Sequence, residues 1–160
     1  MIIHPIEPVY DENSKILILG SFPSVRSREE MFFYGHPQNR FWKVLAYVYD
    51  APVPVSTEEK RRFLLKRGIA LWDVIGSCDI EGSADSTIKN VMPNDISRIL
   101  DFASIKAIFV NGKTAERYYN KYIKERVCRD AVVLPSTSPA NAAWQLERLV
   151  EAWKQIKEVR

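Results

Sequence analysis

The sequence predicts an α/β fold in which helices cover both faces of a small parallel sheet. Apolar runs that suit strands buried on both faces recur along the 160 residues, and segments with helical spacing alternate with them. Parallel strands need long crossover connections, which helices usually supply. Four such runs therefore predict a three-layer α/β/α sandwich around a central four-stranded parallel sheet.

The first predicted strand is the apolar run Ile16–Leu19, which ends abruptly at Gly20. Two helices are predicted to follow it. In the first, NRFWKVLAYVYD, apolar residues recur at helical spacing. The second, STEEKRRFLLKRG, opens with Ser56 and Glu59 as a capping box and closes at Gly68.

The second half of the sequence continues the same alternation. IALWDVI predicts a second strand, and the Gly-, Ser- and Asp-rich stretch GSCDIEGSADST predicts a long loop after it. NDISRILDFA predicts a short capped helix, IKAIFVNG a third strand and KTAERYYNKYIKER a helix. AVVLPSTSPANA supplies the fourth strand and its loop, and a last helix is expected from about Ala140 onward.

Composition limits the class of protein. The length fits one domain over residues 1–160, and 46% hydrophobic with 27% charged residues is typical of a soluble globular chain. A net charge of +3 permits an anionic partner, but Lys and Arg are not clustered densely enough for binding to DNA by charge alone. Any contact with nucleic acid is therefore expected to be local.

Two cysteines, Cys78 and Cys128, disfavour a zinc site, a four-cysteine cluster and a disulfide framework. We therefore expect no metal and no cofactor. The sequence shows neither a leader pattern nor an apolar stretch of membrane-spanning length, so no membrane partner is expected and the cytoplasm is the default location.

Ligands of parallel α/β sheets bind at the carboxyl ends of the strands. The loops expected there span residues 20–24, 73–87, 111–113 and 135–141. Two of them, GSFPS and LPSTSPAN, share small residues, stiffening prolines, hydroxyls and backbone N–H groups that could hold a phosphate or the edge of a base. The same residue types are also ordinary loop formers, so each loop alone leaves both interpretations open.

The segment FFYGHPQNRFW sets polar residues among large aromatics, directly before a predicted helix. Asn39 occupies a favoured N-cap position, which is one interpretation of its presence. His36, before Pro37, either completes a turn or contacts a ligand.

Taken together, these segments resemble the uracil-DNA glycosylase superfamily, and most closely its hypoxanthine-DNA (deoxyinosine) glycosylase branch. The matching segments are ILGSFPS, FFYGHPQNRFW, GIALWDVIGSC, GSADSTIKNVMPND, IFVNGKTA and LPSTSPANA. They follow the family's order and cover nearly the whole chain between residues 15 and 141. The ordered set is more specific than any single motif.

The resemblance implies a monofunctional enzyme whose partner is DNA containing a deaminated base, and a monomer is the default for so small a repair enzyme. It would hydrolyse the N-glycosidic bond of hypoxanthine in DNA and leave an abasic site. In better-known branches the loop after the first strand carries an Asp or Asn that positions the attacking water, and GSFPS has neither. In the hypoxanthine branch the catalytic amide lies in a segment that matches Asn39, whose oxygen could hold a water while its NH₂ group donates.

The resemblance also implies how a flipped base would be held. Phe22 matches the position that stacks on the base, and the other residues implied to contact it are Ser21, Pro23, His36 and Asn111. Asn111 could equally form a turn, and backbone N–H groups, Asn111 or His36 could stabilise charge on the leaving base.

The last loop matches the superfamily's minor-groove segment. The residues implied to contact DNA are Ser24, Lys89, Ser136, Thr137, Ser138, Pro139, Ala140 and Asn141, and Arg26 is a further candidate for phosphate. Ser136 and Ser138 would grip the backbone, while Ala140 or Asn141 would approach the duplex.

Two polar residues outside these sets receive structural interpretations. His4 is expected at the surface near a flexible end. Asp73 is either a helper acid or an acceptor of loop N–H groups, and the structural role is favoured.

Two rival functions remain: a uracil or mismatch-thymine glycosylase of the same fold, and a catalytically silent domain that binds nucleic acid.

Overall fold

A parallel sheet of four strands forms the centre of the fold. In the computed structural model, which describes all 160 residues, the strands are β2 (Ile16–Gly20), β3 (Ile69–Asp73), β6 (Ala107–Asn111) and β7 (Val132–Leu134). Their order in the sheet is β3, β2, β6, β7, and every neighbouring pair is parallel. The predicted four-stranded parallel sheet is confirmed.

Helices cover this sheet and complete the three-layer α/β/α sandwich. They are α1 (Val25–Glu30), α2 (Phe41–Val48), α3 (Thr57–Lys66), α4 (Ser97–Leu100), α5 (Lys113–Tyr122), α6 (Lys124–Val127) and α7 (Leu146–Trp153), with 3-10 turns at Asp85–Thr87 and Lys154–Glu158. None of them is both long and apolar enough to cross a bilayer.

The sequence located most helices but not all of their ends. The capping box of α3 is confirmed, because Ser56 Oγ accepts from the Glu59 N–H at 3.0 Å. Helix α1 was missed, since its six residues carry no apolar periodicity. The expected start of the last helix near Ala140 is wrong: α7 begins at Leu146, because the preceding residues form turns held by side chains from elsewhere in the chain.

A second, antiparallel sheet of three strands was not predicted. Its strands are β1 (Ile2–Ile3), β4 (Ile75–Asp79) and β5 (Lys89–Pro93), in the order β1, β4, β5. The prediction of one long loop between Asp73 and Thr87 is therefore wrong. Gly, Ser and Asp disguise β4 as a loop, and its pairing with β1 bridges more than 70 residues, which no local pattern reveals.

The aromatic residues around His36 and Asn39 belong to the core. Phe32, Phe33, Phe41 and Trp42 are all buried within one continuous hydrophobic cluster. The Trp42 indole N–H donates to the Phe33 carbonyl at 3.2 Å, which fixes the two ends of the segment against each other. The buried rings thus anchor a short exposed turn that presents its polar residues at the surface.

The ends of the strands bring distant residues together. Strand β2 lies between β3 and β6, and Gly20 at its end is in register with Asp73. The chain leaves β2 to one side for β3 and later returns to the other side for β6. This change of direction is where ligands bind in open α/β sheets.

The α3 capping box is expected to contribute measurably to stability. Ser56→Ala should lower the free energy of unfolding by about 1 kcal/mol, because the Glu59 N–H loses its acceptor. Denaturation by urea measures this difference. Ser104→Ala, at an exposed position, should change stability by less than about 0.5 kcal/mol; equal losses in the two variants would contradict the capping role.

Candidate active site

A cavity of about 920 Å³ opens at the carboxyl ends of the parallel strands. Most of the residues that the sequence singled out line it: Ser21, Phe22, Pro23, Ser24, His36, Asn39, Asn111 and all six residues from Ser136 to Asn141. Lys89 lies outside the lining, exposed on β5, and Arg26 is an exposed partner of Glu30 at 2.7 Å. The sheet therefore gathers four separate loops around one space.

Thr137 joins three of these segments from a fully buried position. Its backbone N–H donates to Asn111 Oδ1 at 3.1 Å, and its hydroxyl accepts from Asn111 Nδ2 at 3.0 Å. The same hydroxyl donates to Asn39 Oδ1 at 2.9 Å. The side chain and backbone of Thr137 thereby fix the two amides relative to each other.

The Asn39 amide serves two purposes through its two ends. Its oxygen accepts from the Phe41 N–H and the Thr137 hydroxyl, both at 2.9 Å, so both lone pairs are engaged. A backbone N–H can only donate, which identifies the atom facing it as the oxygen. The N-cap of α2 is Arg40, so the prediction that Asn39 is the N-cap is wrong by one residue, and its oxygen instead closes a turn onto the Phe41 N–H. The NH₂ group has no partner within the chain and remains for a ligand in the cavity.

Arg40, next to Asn39, fixes the loop that follows β7. Its guanidinium donates to the carbonyl oxygens of Trp144, of Ser138 at 3.1 Å and of Asn141 at 3.2 Å. Asn141 adds a bond from its own amide to the Ser136 carbonyl at 3.0 Å. No local pattern predicts this role, because the partners of Arg40 are backbone atoms about 100 residues away.

Asn111 and Tyr34 form one side of the cavity. The Asn111 amide donates one hydrogen to Thr137 and the other to Tyr34 Oη at 3.2 Å, so both of its donors are engaged. The Tyr34 ring stacks on Phe41 with centroids 4.0 Å apart. Burial, and then the negative charge of Asp73, raise the pKa of Tyr34 well above its ordinary value, so this residue remains a phenol.

Phe22 and His36 lie at the mouth of the cavity. Phe22 is half-buried, with the Arg28 guanidinium 5.7 Å from its ring centroid. His36 is exposed, and its Nδ1 accepts from the Gln38 N–H at 3.1 Å. The turn interpretation of His36 therefore accounts for one ring nitrogen and leaves the other available.

Ser24, implied to contact DNA, also has a local hydrogen bond that no sequence pattern predicts. Its hydroxyl oxygen accepts from the Ser27 N–H at 3.1 Å and thereby caps α1.

The prediction that His4 lies at the surface is wrong. Its side chain is only 2% exposed, and Nε2 lies 2.7 Å from Asp73 Oδ2, itself on a side chain that is 5% exposed. The reason is the unpredicted strand β1, which pairs with β4 and carries His4 across the end of the parallel sheet. Asp73 therefore accepts from a side chain 69 residues away, where loop N–H groups had been expected.

Gly20 allows the polar groups on either side of it to come close. A Cβ at this position would lie 2.5 Å from Asp73 Oδ1 and 2.8 Å from Tyr34 Oη, closer than real contacts permit. Glycine is thus required where the carboxylate and the phenol converge.

Removing the Thr137 hydroxyl should destabilise the protein. In Thr137→Val the Asn39 oxygen and one Asn111 hydrogen lose a buried partner, which costs about 1–3 kcal/mol. Thr137→Ser keeps the hydroxyl and should remain closer to wild type. Urea denaturation gives both free energies of unfolding, and a valine variant as stable as the serine variant would contradict this role.

Tyr34 should make stability fall at alkaline pH. Above about pH 10, the ordinary pKa of tyrosine, the unfolded phenol loses its proton while the raised pKa of Tyr34 keeps the folded one protonated. This stabilisation is complete below that pH and is lost as pH rises, by up to about 1.4 kcal/mol per pH unit.

Tyr34→Phe should therefore flatten the dependence of the unfolding free energy on pH above 10. Tyr47→Phe, at a position 62% exposed, is the matched control. An unchanged slope in Tyr34→Phe would contradict the assignment.

Comparison with known proteins places this arrangement in a family. A family model described as the uracil DNA glycosylase superfamily matches residues 7–157. A hypoxanthine DNA glycosylase from Methanosarcina barkeri is 37% identical over 136 residues, covering 84% of this chain and 85% of that protein. Another of the same name from Methanosarcina acetivorans is 34% identical over 158 residues, covering 98% of each.

A solution NMR structure from Methanosarcina acetivorans, described as a candidate uracil DNA glycosylase, is similar to the whole fold. Its TM-score is 0.80 at 31% sequence identity, and the match covers 98% of this chain and 99% of that one. Sequence and fold thus agree over nearly the full length, and the chain belongs to the uracil DNA glycosylase superfamily.

Proposed function

We propose that this protein is a monofunctional DNA glycosylase that hydrolyses the N-glycosidic bond of hypoxanthine in DNA and leaves an abasic site. The observation that carries the proposal is the unpartnered NH₂ group of Asn39, which shares one cavity with Phe22 and the loop 136–141. The two relatives named hypoxanthine DNA glycosylase support the choice of substrate.

The cavity suits a base that has left the duplex stack. Its volume of about 920 Å³ exceeds the space that a purine needs, and several aromatic rings and polar groups line it. In the proposal the flipped base stacks on Phe22, with Ser21 and Pro23 beside it and His36 and Asn111 at its edges. Asn111 retains one acceptor position on its oxygen for this purpose, since both of its hydrogens are engaged.

The proposed reaction needs orientation more than base strength. An Asn39 hydrogen donates to one lone pair of a water, and the other lone pair of that water faces the anomeric carbon. An amide is a poor base, but this suffices if the glycosidic bond breaks largely before water attacks, through an oxocarbenium-like sugar. The bonding electrons leave with the base, the water oxygen bonds to the sugar, and its proton passes to solvent.

The loop after β7 is the proposed DNA-binding surface. The Ser136 and Ser138 hydroxyls would donate to phosphate, since their oxygens accept from the N–H groups of Ser138 and Ala140 and their hydrogens remain free. Thr137 and Pro139 would fix their spacing, and Ala140 or Asn141 would approach the vacated space. Ser24 and the exposed Lys89 would meet phosphates farther along. We further propose that the protein acts as a monomer in the cytoplasm.

Base excision should depend on the Asn39 NH₂ group. Asn39→Asp keeps an oxygen for the Phe41 N–H and the Thr137 hydroxyl but removes the free donors, whereas Asn39→Ala removes both. Single-turnover cleavage after alkali, on duplexes with one deoxyinosine, should fall at least about 100-fold in both variants. Asn13→Ala, an exposed asparagine before β2, is the matched control and should be unaffected.

Parallel duplexes with deoxyuridine or mismatched thymidine test the rival glycosylase functions. Excision from deoxyinosine that persists in Asn39→Asp would remove Asn39 from its proposed role. Binding of duplexes without any abasic-site formation would replace the proposal by a silent nucleic-acid-binding function.

A further inference from the structure

A second cavity, of about 620 Å³, lies at the end of the parallel sheet opposite the candidate active site. Lys15 directly precedes β2 and Gly68 directly precedes β3, so both mark the amino ends of the strands, whereas the first cavity opens at their carboxyl ends. The two cavities share no residue. A ligand of the second cavity would therefore leave free the space proposed for the flipped base.

The charged groups that line the second cavity are all positive. They come from three parts of the chain, and no Asp or Glu side chain lies among them. The cations are Lys15, Lys66, Arg67 and Lys157. None of the four forms an ion pair with a carboxylate elsewhere in the chain. This concentration of charge is invisible in the sequence, because folding brings residues 15 and 157 to the end of α3.

The ends of two helices offset only part of this charge. Arg67 is the C-cap of α3, and its Nη1 donates to the Phe63 carbonyl at 3.2 Å. Lys157 Nζ lies 3.4 Å from the carbonyl of Val48, the last residue of α2. Since a helix C-terminus carries about half a negative elementary charge, the two ends leave an excess of about three positive charges. A bound anion would neutralise this excess.

Arg67 is held in a fixed orientation at this cavity. Its guanidinium carbon lies 3.8 Å from the centroid of the Phe63 ring and 5.4 Å from that of Tyr49. Only one of its side-chain N–H groups has a partner within the chain. A guanidinium oriented in this way presents paired donors, which match two oxygens of one phosphate group.

The Tyr49 hydroxyl adds a neutral donor to the cavity. Burial raises the pKa of Tyr49 to about 12, although the positive charge of Arg67 opposes this shift, so the hydroxyl keeps its proton at neutral pH. It makes no hydrogen bond within the chain, yet no buried polar side-chain atom lacks a partner. The hydroxyl is therefore open to the cavity that Tyr49 lines.

We propose that the second cavity is an anion site that binds two neighbouring phosphate groups, as they occur in a free nucleoside diphosphate or along a DNA backbone. Phosphate oxygens accept from guanidinium, ammonium and phenol donors, and the cavity supplies all three. One phosphate group carries at most about two negative charges at neutral pH, so an excess of about three positive charges suits more than one group. The inference goes beyond the proposed glycosylase function and does not depend on it.

Calorimetric titration of the full chain with inorganic pyrophosphate, at low ionic strength, tests the site. Wild type should bind this probe. The double variant Lys15→Gln/Lys157→Gln should bind it at least about 10-fold more weakly, since it loses two charged donors. Lys121→Gln/Arg126→Gln removes the same charge at exposed positions of α5 and α6 and is the matched control.

Tyr49→Phe distinguishes a site with defined ligands from a diffuse positive field. This variant keeps the ring and the net charge but loses one donor, so pyrophosphate should bind about 5-fold more weakly. Tyr47→Phe, at a position 62% exposed, is its control. The inference would be overturned by absence of binding to wild type, by equal affinities of the two double variants, or by an unchanged affinity in Tyr49→Phe.

Competition identifies the source of the phosphates. If DNA supplies them, an unmodified duplex should displace pyrophosphate, and Lys15→Gln/Lys157→Gln should reduce the slope of log affinity for that duplex against log salt by about two. If a nucleotide supplies them, adenosine diphosphate should displace pyrophosphate while this slope stays as in the control variant. Displacement by neither would overturn the assignment.

Excision from deoxyinosine separates this inference from the proposed function. It should be equal in wild type and in Lys15→Gln/Lys157→Gln, because the two cavities share no residue. Pyrophosphate binding without any excision would contradict the glycosylase function alone, and excision without pyrophosphate binding would contradict the second site alone.

Discussion

The hydroxyl of Thr137 is the interaction on which the geometry of the cavity depends. It is buried between two amides and satisfies both, accepting from Asn111 and donating to Asn39. Because a hydroxyl has one hydrogen, the first bond determines the direction of the second. The orientation of Asn39, with its hydrogens toward the cavity, is therefore set by a chain of bonds that begins at the end of β6.

Most of the polar groups around the cavity are already engaged, and the exceptions indicate its chemistry. The loop carbonyls hold Arg40, and both hydrogens of Asn111 are bound. Two of the groups left open differ in kind: the NH₂ group of Asn39 can only donate, and the remaining acceptor position of Asn111 Oδ1 can only accept. The rigid framework thus presents both a donor and an acceptor to a ligand in the cavity.

The sequence predicted those parts whose signals are local. The apolar runs of the parallel strands, the spacing of α2 and the capping box of α3 each lie within a few residues, and the sheet then places the predicted loops together. The ordered family segments located Asn39 and the final loop. What escaped depends on contacts across the chain: His4 with Asp73 is separated by 69 residues, and Arg40 with Trp144 by 104.

The aromatic segment FFYGHPQNRFW shows a second limit of prediction from sequence. Phe32, Phe41 and Trp42 lie in the core and do not line the cavity, whereas Phe33 of the same segment is buried and also reaches the cavity, as Phe22 does from another loop. Apolar side chains do not reveal from sequence alone whether they face the core or a ligand, because the same physical property serves both.

The small strand β1 has a consequence for the dynamics of the protein. It comprises two residues and ends where His4 begins its contact with Asp73, so few backbone bonds hold this element in place. Segments with so little pairing open locally at a cost far below that of global unfolding. Fraying of β1 would remove His4 from Asp73 while the parallel sheet and Asn39 stay intact, so this side of the cavity can loosen on a faster timescale, and at a lower temperature, than the fold itself.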